Sequence, residues 1–173
     1  MAEQAPHHTT DAQEFLDLYP VALPQVYGFL LARCGDADVA EDLTSETFMA
    51  GAKAIAEGVG PLTIGWLVTV ARRRLVDYWR RLDIERRSLR IVAGHGSADD
   101  PWDEVIDIEA ARSALSRVAP QYRAVLTLRY IDGLAVPEAA ELLGRSVHAT
   151  ESLLARARAA LREVYEPGER RDA

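Results

Sequence analysis

The chain has 173 residues, 49% of them hydrophobic, with a formal net charge of −7. That length holds one domain or two small ones with a core, and the negative total excludes a generic nucleic-acid coat. The single cysteine, Cys34, excludes an internal disulfide and reads as a core residue; no apolar run reaches the length of a membrane span. No charged-then-apolar leader opens the chain, so a reducing cytoplasm is the expected setting, without membrane insertion. The charge is uneven: a net basic stretch at 61–90 lies between net acidic ones at 1–60 and 91–120. Such blocks suit a protein that touches phosphate at chosen places and a basic protein partner elsewhere.

In chain order, residues 1–10 form a polar leader, expected to be disordered. A helix is predicted from Asp11 to Tyr19, interrupted at Pro20, and a second from Leu23 to Cys34, ended by Gly35. Asp36 or Asp38 then caps a helix to about Ile55, with Val39, Leu43, Thr47, Phe48 and Ala50 inward. Its outer face carries Asp42, Ser45 and Glu46, with Glu41 at the flank. This is either a solvated acidic face or a docking face for a basic protein surface.

Gly58, Gly60 and Pro61 make a flexible connection into a long helix. There Leu67, Val70, Ala71, Leu75 and Tyr78 form the apolar stripe, and Trp66, Thr69, Arg72, Arg73, Trp79 and Arg80 are left toward the flanks and outside. Aromatics interleaved with arginines suit single-stranded nucleic acid, the arginines following phosphates and the rings offering stacking surfaces. Core tryptophans with solvated arginines are the alternative. Residues 89–109, acidic and rich in small residues, read as a linker on which Trp102 and Val105 can dock locally. A helix follows from Ile108 to Val118, then another from Pro120, with Tyr122, Val125, Leu126, Leu128 and Tyr130 available to a small core.

Asp132–Gly133 turn the chain into a helix pair. The first helix spans Val136 to Leu143, with Pro137 in its first turn, Glu138 at the positive end of its dipole and Gly144 just past its end. Ser146 caps the second, whose inner stripe is Val147, Thr150, Leu154, Ala157, Leu161 and Val164. Small Ala140 lets the two cross closely, as in a helix-turn-helix, where the second helix enters the DNA major groove. An ordinary helical hairpin is the other reading. The tail, 167–173, is polar. No strand is predicted, nor a P-loop, dinucleotide fingerprint, metal-ligand spacing or nucleophile elbow. The expected protein is all-α, has no metal or cofactor, and is not an enzyme.

These features in this order resemble the bacterial RNA polymerase sigma factors of the small extracytoplasmic-function (ECF) type, in the sigma-70 family. Ala40–Phe48 (AEDLTSETF) resembles the core-polymerase docking motif. Trp66–Arg81 (WLVTVARRRLVDYWRR) resembles the helix that melts and reads the minus-ten element. Ala114–Val147 with Leu153–Glu163 resembles the domain that reads the minus-thirty-five element. The resemblance implies a region 2-like domain at 11–88, the linker at 89–109 and a region 4-like helix-turn-helix domain at 110–166. It implies that Glu41, Asp42, Ser45, Glu46 and Phe48 serve core polymerase, and that Thr63, Trp66, Thr69, Arg72, Arg73, Asp77, Trp79 and Arg80 lie by minus-ten DNA. Arg145, Ser146, His148, Ala149, Glu151, Ser152 and Arg156 would lie at the minus-thirty-five groove. The implied partners are core RNA polymerase, promoter DNA, both duplex and melted, and an anti-sigma factor.

Several positions depart from the family pattern. Ser45 replaces a usual Gln, Ala52 a usual Trp and Arg73 a usual Asn, and Ala135 stands where a Ser often caps. In the recognition helix Glu151 and Leu153 replace two usual bases. Glu151 can accept from cytosine N4 or repel phosphate, and fewer phosphate contacts would weaken the salt dependence. Two other functions fit the same residues: a stand-alone helix-turn-helix regulator, and a degenerate sigma-like adaptor that binds a protein partner.

Overall fold

In the computed structural model residues 7–89 and 108–165 are described; residues 1–6, 90–107 and 166–173, which take in most of the expected leader, linker and tail with Trp102 and Val105, lie outside them. The described residues form no strand. They make α1 (His7–Cys34), α2 (Ala37–Ala56), α3 (Ile64–Leu89), α4 (Ile108–Arg117), α5 (Pro120–Leu126), a π-helical turn (Thr127–Ile131), α6 (Val136–Leu143) and α7 (Val147–Val164). Cα proximity groups the chain into Met1–Leu75 and Val76–Ala173, with α3 running through the division.

In the first unit the two helices expected around Pro20 are one. α1 continues through Pro20 and Pro24. Each proline removes an N–H and crowds the preceding turn, but both point to solvent. The opposite edge, Ala22, Val26, Leu30 and Cys34, repeats every four residues and is buried. That stripe packs α1 on α2, and tertiary burial outweighs the local break. By length and composition Asp11–Cys34 could cross a membrane, contrary to the sequence expectation; in this fold α1 packs on α2.

Of the two possible caps for α2, Asp36 is the one used: its carboxylate accepts from Val39 N at 3.1 Å. Leu43, Thr44, Thr47, Phe48, Ala54 and Ile55 line its buried face. The two threonines satisfy their hydroxyls by donating to the carbonyls of Ala40 and Leu43, at 2.6 and 2.7 Å. Gly51 has a packing reason: a Cβ there would sit 2.8 Å from the Phe15 ring. Phe48 meets Tyr19 edge-on at 4.8 Å and Phe15 at 6.2 Å between centroids.

In the second unit α7 packs against α4, α5 and α6. Val118, Ala124, Val125, Leu126, Leu128, Ala140, Leu143, Leu153, Leu154 and Ala157 are buried. Arginines tie off helix C-termini, where carbonyls are unpaired and the dipole is negative. Arg123 Nε donates to Leu115 O at 2.8 Å and its Nη2 to Ser116 O, while Arg117 Nη2 donates to Val164 O. The π turn after α5 was not expected. Asp132 N donates to Thr127 O, five residues back, at 2.9 Å. Such a turn rotates the next residues off the α-helical register. Tyr130, expected in the core, is therefore 57% exposed, with Ile131 beside it.

Candidate functional site

Three surfaces carry the residues singled out from the sequence. On α2, Glu41, Asp42 and Ser45 are exposed and Glu46 is half-buried. Their spacing puts them on the side of the helix away from Leu43 and Thr47. Glu46 Oε2 lies 3.9 Å from Arg74 Nε of α3, both side chains 42% exposed. Phe48 lies beneath this face, in the aromatic cluster, so it shapes the surface from inside.

The second surface follows α3. Thr63 caps the helix, its hydroxyl accepting from Trp66 N at 3.2 Å. Trp66 is half-buried, Thr69 and Arg73 exposed, Arg72 half-buried. Trp66, Thr69 and Arg73 follow one another at steps of three and four, so they share a face. In the second unit Asp77 is exposed and pairs with Arg80 at 3.2 Å. Arg80 Nη2 also donates to Leu142 O at 2.6 Å, one of the unpaired carbonyls at the end of α6. Trp79 is not on the outside, where the sequence reading puts it. It is 1% exposed, because it extends the four-residue row Leu67, Ala71, Leu75 rather than the Trp66 face.

The third surface is the α6–turn–α7 pair. Pro137 occupies the first turn of α6. Ala135 has no side-chain oxygen to cap with, yet its N–H is satisfied, donating to Glu138 Oε2 at 2.7 Å. Gly144 takes the left-handed conformation, φ 59°, that a non-glycine residue adopts only with strain, and Arg145 N closes the turn onto Ala140 O at 3.0 Å. Ser146 Oγ then accepts from Ala149 N at 3.2 Å and starts α7. Both ends of the turn are thus fixed by local chemistry, and the angle between the helices with them.

On α7 the outward residues are His148, Glu151 and Ser152, all exposed, with Ala149 and Arg156 half-buried; Arg145 and Ser146 are exposed at its entrance. His148 Nδ1 and Glu151 Oε2 are 4.0 Å apart, and Arg156 Nε donates to Ser152 O at 3.2 Å. Val147, expected inside, is 43% exposed, since it opens the helix ahead of the first buried residue, Thr150. Leu153 is a correction of another kind. It replaces a base in the family pattern, but at 1% exposure it belongs to the core and not to the groove-facing side. Among the described residues no group of three or more His, Cys, Asp or Glu is placed to hold a metal ion. Sequence reasoning missed the Glu46–Arg74 pair; nothing local signals a contact between helices.

Against known proteins, the family model described as Sigma-70 region 2 matches residues 10–84, and that described as Sigma-70, region 4 matches residues 108–161. The ECF RNA polymerase sigma factor SigM of Bacillus subtilis is 31% identical over 155 residues, which cover 88% of this chain and 95% of SigM. The ECF RNA polymerase sigma factor BldN of Streptomyces coelicolor is 32% identical over 158 residues, 85% of this chain but 58% of BldN. The chain thus spans little more than half of that relative. Among solved structures, the sigma factor RpoE in complex with the anti-sigma factor NepR from Bartonella quintana is similar in fold: TM-score 0.52 at 24% identity, covering 91% of this chain and 99% of that one.

Proposed function

The chain belongs to the ECF RNA polymerase sigma factors of the sigma-70 family, and from that membership we propose that it binds core RNA polymerase and directs it to a two-part promoter. In this reading the exposed acids of α2, Glu41, Asp42 and Glu46, dock on a basic surface of core polymerase. Thr63, Trp66, Thr69, Arg72, Arg73, Asp77 and Arg80 serve the minus-ten element, whose melted strand is held by arginines on phosphates and by the Trp66 ring. A flipped base is received near the Gly58–Thr63 loop. Arg145, Ser146, His148, Ala149, Glu151, Ser152 and Arg156 face the minus-thirty-five major groove.

The observation that carries this reading is the α6–α7 pair: a turn closed by Gly144, a helix capped by Ser146, and an outward row of polar side chains on the first turns of that helix. The protein works in the cytoplasm and performs no chemistry of its own; phosphodiester synthesis is the polymerase's. An anti-sigma partner is part of the proposal, and a relative of similar fold is known bound to one.

The test is transcription by the purified chain with core RNA polymerase on fragmented genomic DNA, with start sites mapped. Starts that share two motifs at fixed spacing are expected. Core binding without any start favours the adaptor reading, for which Glu151 is the remaining argument now that Leu153 is in the core. Duplex DNA binding without core binding favours a stand-alone regulator.

A further inference from the structure

The exposed residues of α7 are Val147, His148, Glu151, Ser152 and Glu163, and of these Val147 alone is apolar. It is the first residue of the helix and is 43% exposed. It adds little to the fold there. It stands outside the buried set Thr150, Leu153, Leu154 and Ala157, and a β-branched residue is a weak helix former. Nor does its side chain serve the cap, which the Ser146 hydroxyl makes with Ala149 N.

The backbone that carries Val147 is fixed to the core. Ser146 O accepts twice from Thr150, from its N and from its Oγ1, each at 3.0 Å. Thr150 is itself 1% exposed. The valine side chain is stiff at χ1. Its two methyl groups are therefore held in place before any contact is made, and a contact costs little side-chain entropy. Val147 precedes Glu151 by one turn, on the same flank of α7. About 6 Å of helix axis separates the two, less than two base steps of about 3.4 Å each, so both reach the same stretch of groove. The apolar group that the major groove offers to such a side chain is the C5 methyl of thymine.

We propose that Val147 is a specificity-determining residue of the minus-thirty-five face and that it selects thymine by packing on the C5 methyl. The proposal rests on the minus-thirty-five reading of α7. It adds to the polar residues already placed there a contact that uses no hydrogen bond and no charge. Such a contact distinguishes thymine from uracil, which differ by that methyl alone.

The full chain is assembled with core RNA polymerase and the minus-thirty-five motif is selected from duplex DNA randomised over a promoter-length segment. Each thymine of the selected motif is then replaced in turn by deoxyuridine, and affinity is measured for wild type, Val147→Ser and Val147→Thr. One thymine is expected at which wild type loses about three- to fivefold, the worth of roughly one buried methyl. In Val147→Ser that loss should vanish, and Val147→Thr, which keeps one methyl, should retain part of it. Core binding and the thermal melt should be the same for all three proteins, because the side chain is outside the core. A selected motif in which wild type is indifferent to every deoxyuridine overturns the proposal and leaves the minus-thirty-five reading standing. So does a deoxyuridine effect that persists unchanged in Val147→Ser, since another residue then reads that methyl. If wild type bound to core selects no upstream motif, the reading and the proposal fall together.

Discussion

The outer faces of α2 and α7 are opposites in chemistry. α2 presents Glu41, Asp42 and Glu46 over an aromatic cluster, a dense patch of one sign. α7 presents Ser152, His148, Ala149 and Glu151, with Arg145 and Arg156 at its margins, and almost no net charge. A one-sign patch gains affinity and association rate from any surface of the other sign. A face of short polar side chains gains little from a uniform field and depends on individual hydrogen bonds, which is what reading base edges requires. In the proposed function, the difference separates a face for attachment from a face for selection.

The largest effect should come from reversing the attachment face. Asp42→Lys with Glu46→Lys is expected to lower core polymerase binding about a hundredfold or more, since like charges opposed across an interface cost several kcal/mol. Helical content should stay the same, because neither carboxylate belongs to the core. Fluorescence anisotropy against core polymerase, beside circular dichroism, gives the answer; undiminished binding would dissolve the contrast between the two faces. Next in size is Leu153. Leu153→Ala should cost about 2–5 kcal/mol of stability, as truncated buried leucines do, and a chemical melt measures it. Leu153→Arg, which restores the family's usual base, should unfold the second unit rather than strengthen DNA binding, because it buries an unpaired charge.

Much of this was legible in the sequence because the signals are local. Asp36, Gly144 and Ser146 act within four residues of themselves, and α2, α6 and α7 begin and end where those residues say. The α2 acids read as outward because Leu43 and Thr47 fix the inward side. What escaped is set at a distance or by register. Pro20 forecasts a break, and only the burial of Ala22, Val26 and Leu30, with α1 packed on α2, explains why none occurs. The π turn has no composition of its own, so the sequence leaves Tyr130 available to the core, whereas the structure exposes it. Leu153 lies at the margin of the α7 stripe, where its burial depends on neighbouring helices rather than on its place in the heptad.

Glu151→Lys tests the selection face with a smaller effect. An added base there should steepen the salt dependence of duplex binding by about 0.9, the contribution of one B-DNA phosphate. It should also shift the mapped minus-thirty-five motif if Glu151 accepts from a base. A steeper slope with an unchanged motif means Glu151 acts only by repelling phosphate. Absence of both changes would remove Glu151 from the groove. The partner at 4.0 Å, His148, is 92% exposed, so loss of that contact should be silent in a melt.

The smallest effect separates a structural aromatic from a stacking one. Trp66 and Trp79 lie on the same helix, one half-buried and one at 1% exposure. Among the described residues, Trp79 Nε1 is buried with no hydrogen-bond partner. Trp79→Phe removes that unpaired donor, a relief of about 1–3 kcal/mol. It also leaves a cavity from the lost ring atoms, a loss of about the same size. The two offset, so stability should change by about 1 kcal/mol or less, and DNA affinity should not change. Trp66→Phe keeps a ring on the proposed DNA face and should retain binding, whereas Trp66→Ala should lose about 1–3 kcal/mol of it, the worth of one base stacked on an aromatic. A Trp79→Phe protein that melts like wild type but binds melted DNA less well would mean that Trp79 leaves the core when DNA is bound, and the division between buried and stacking aromatics along α3 would then be drawn in the wrong place.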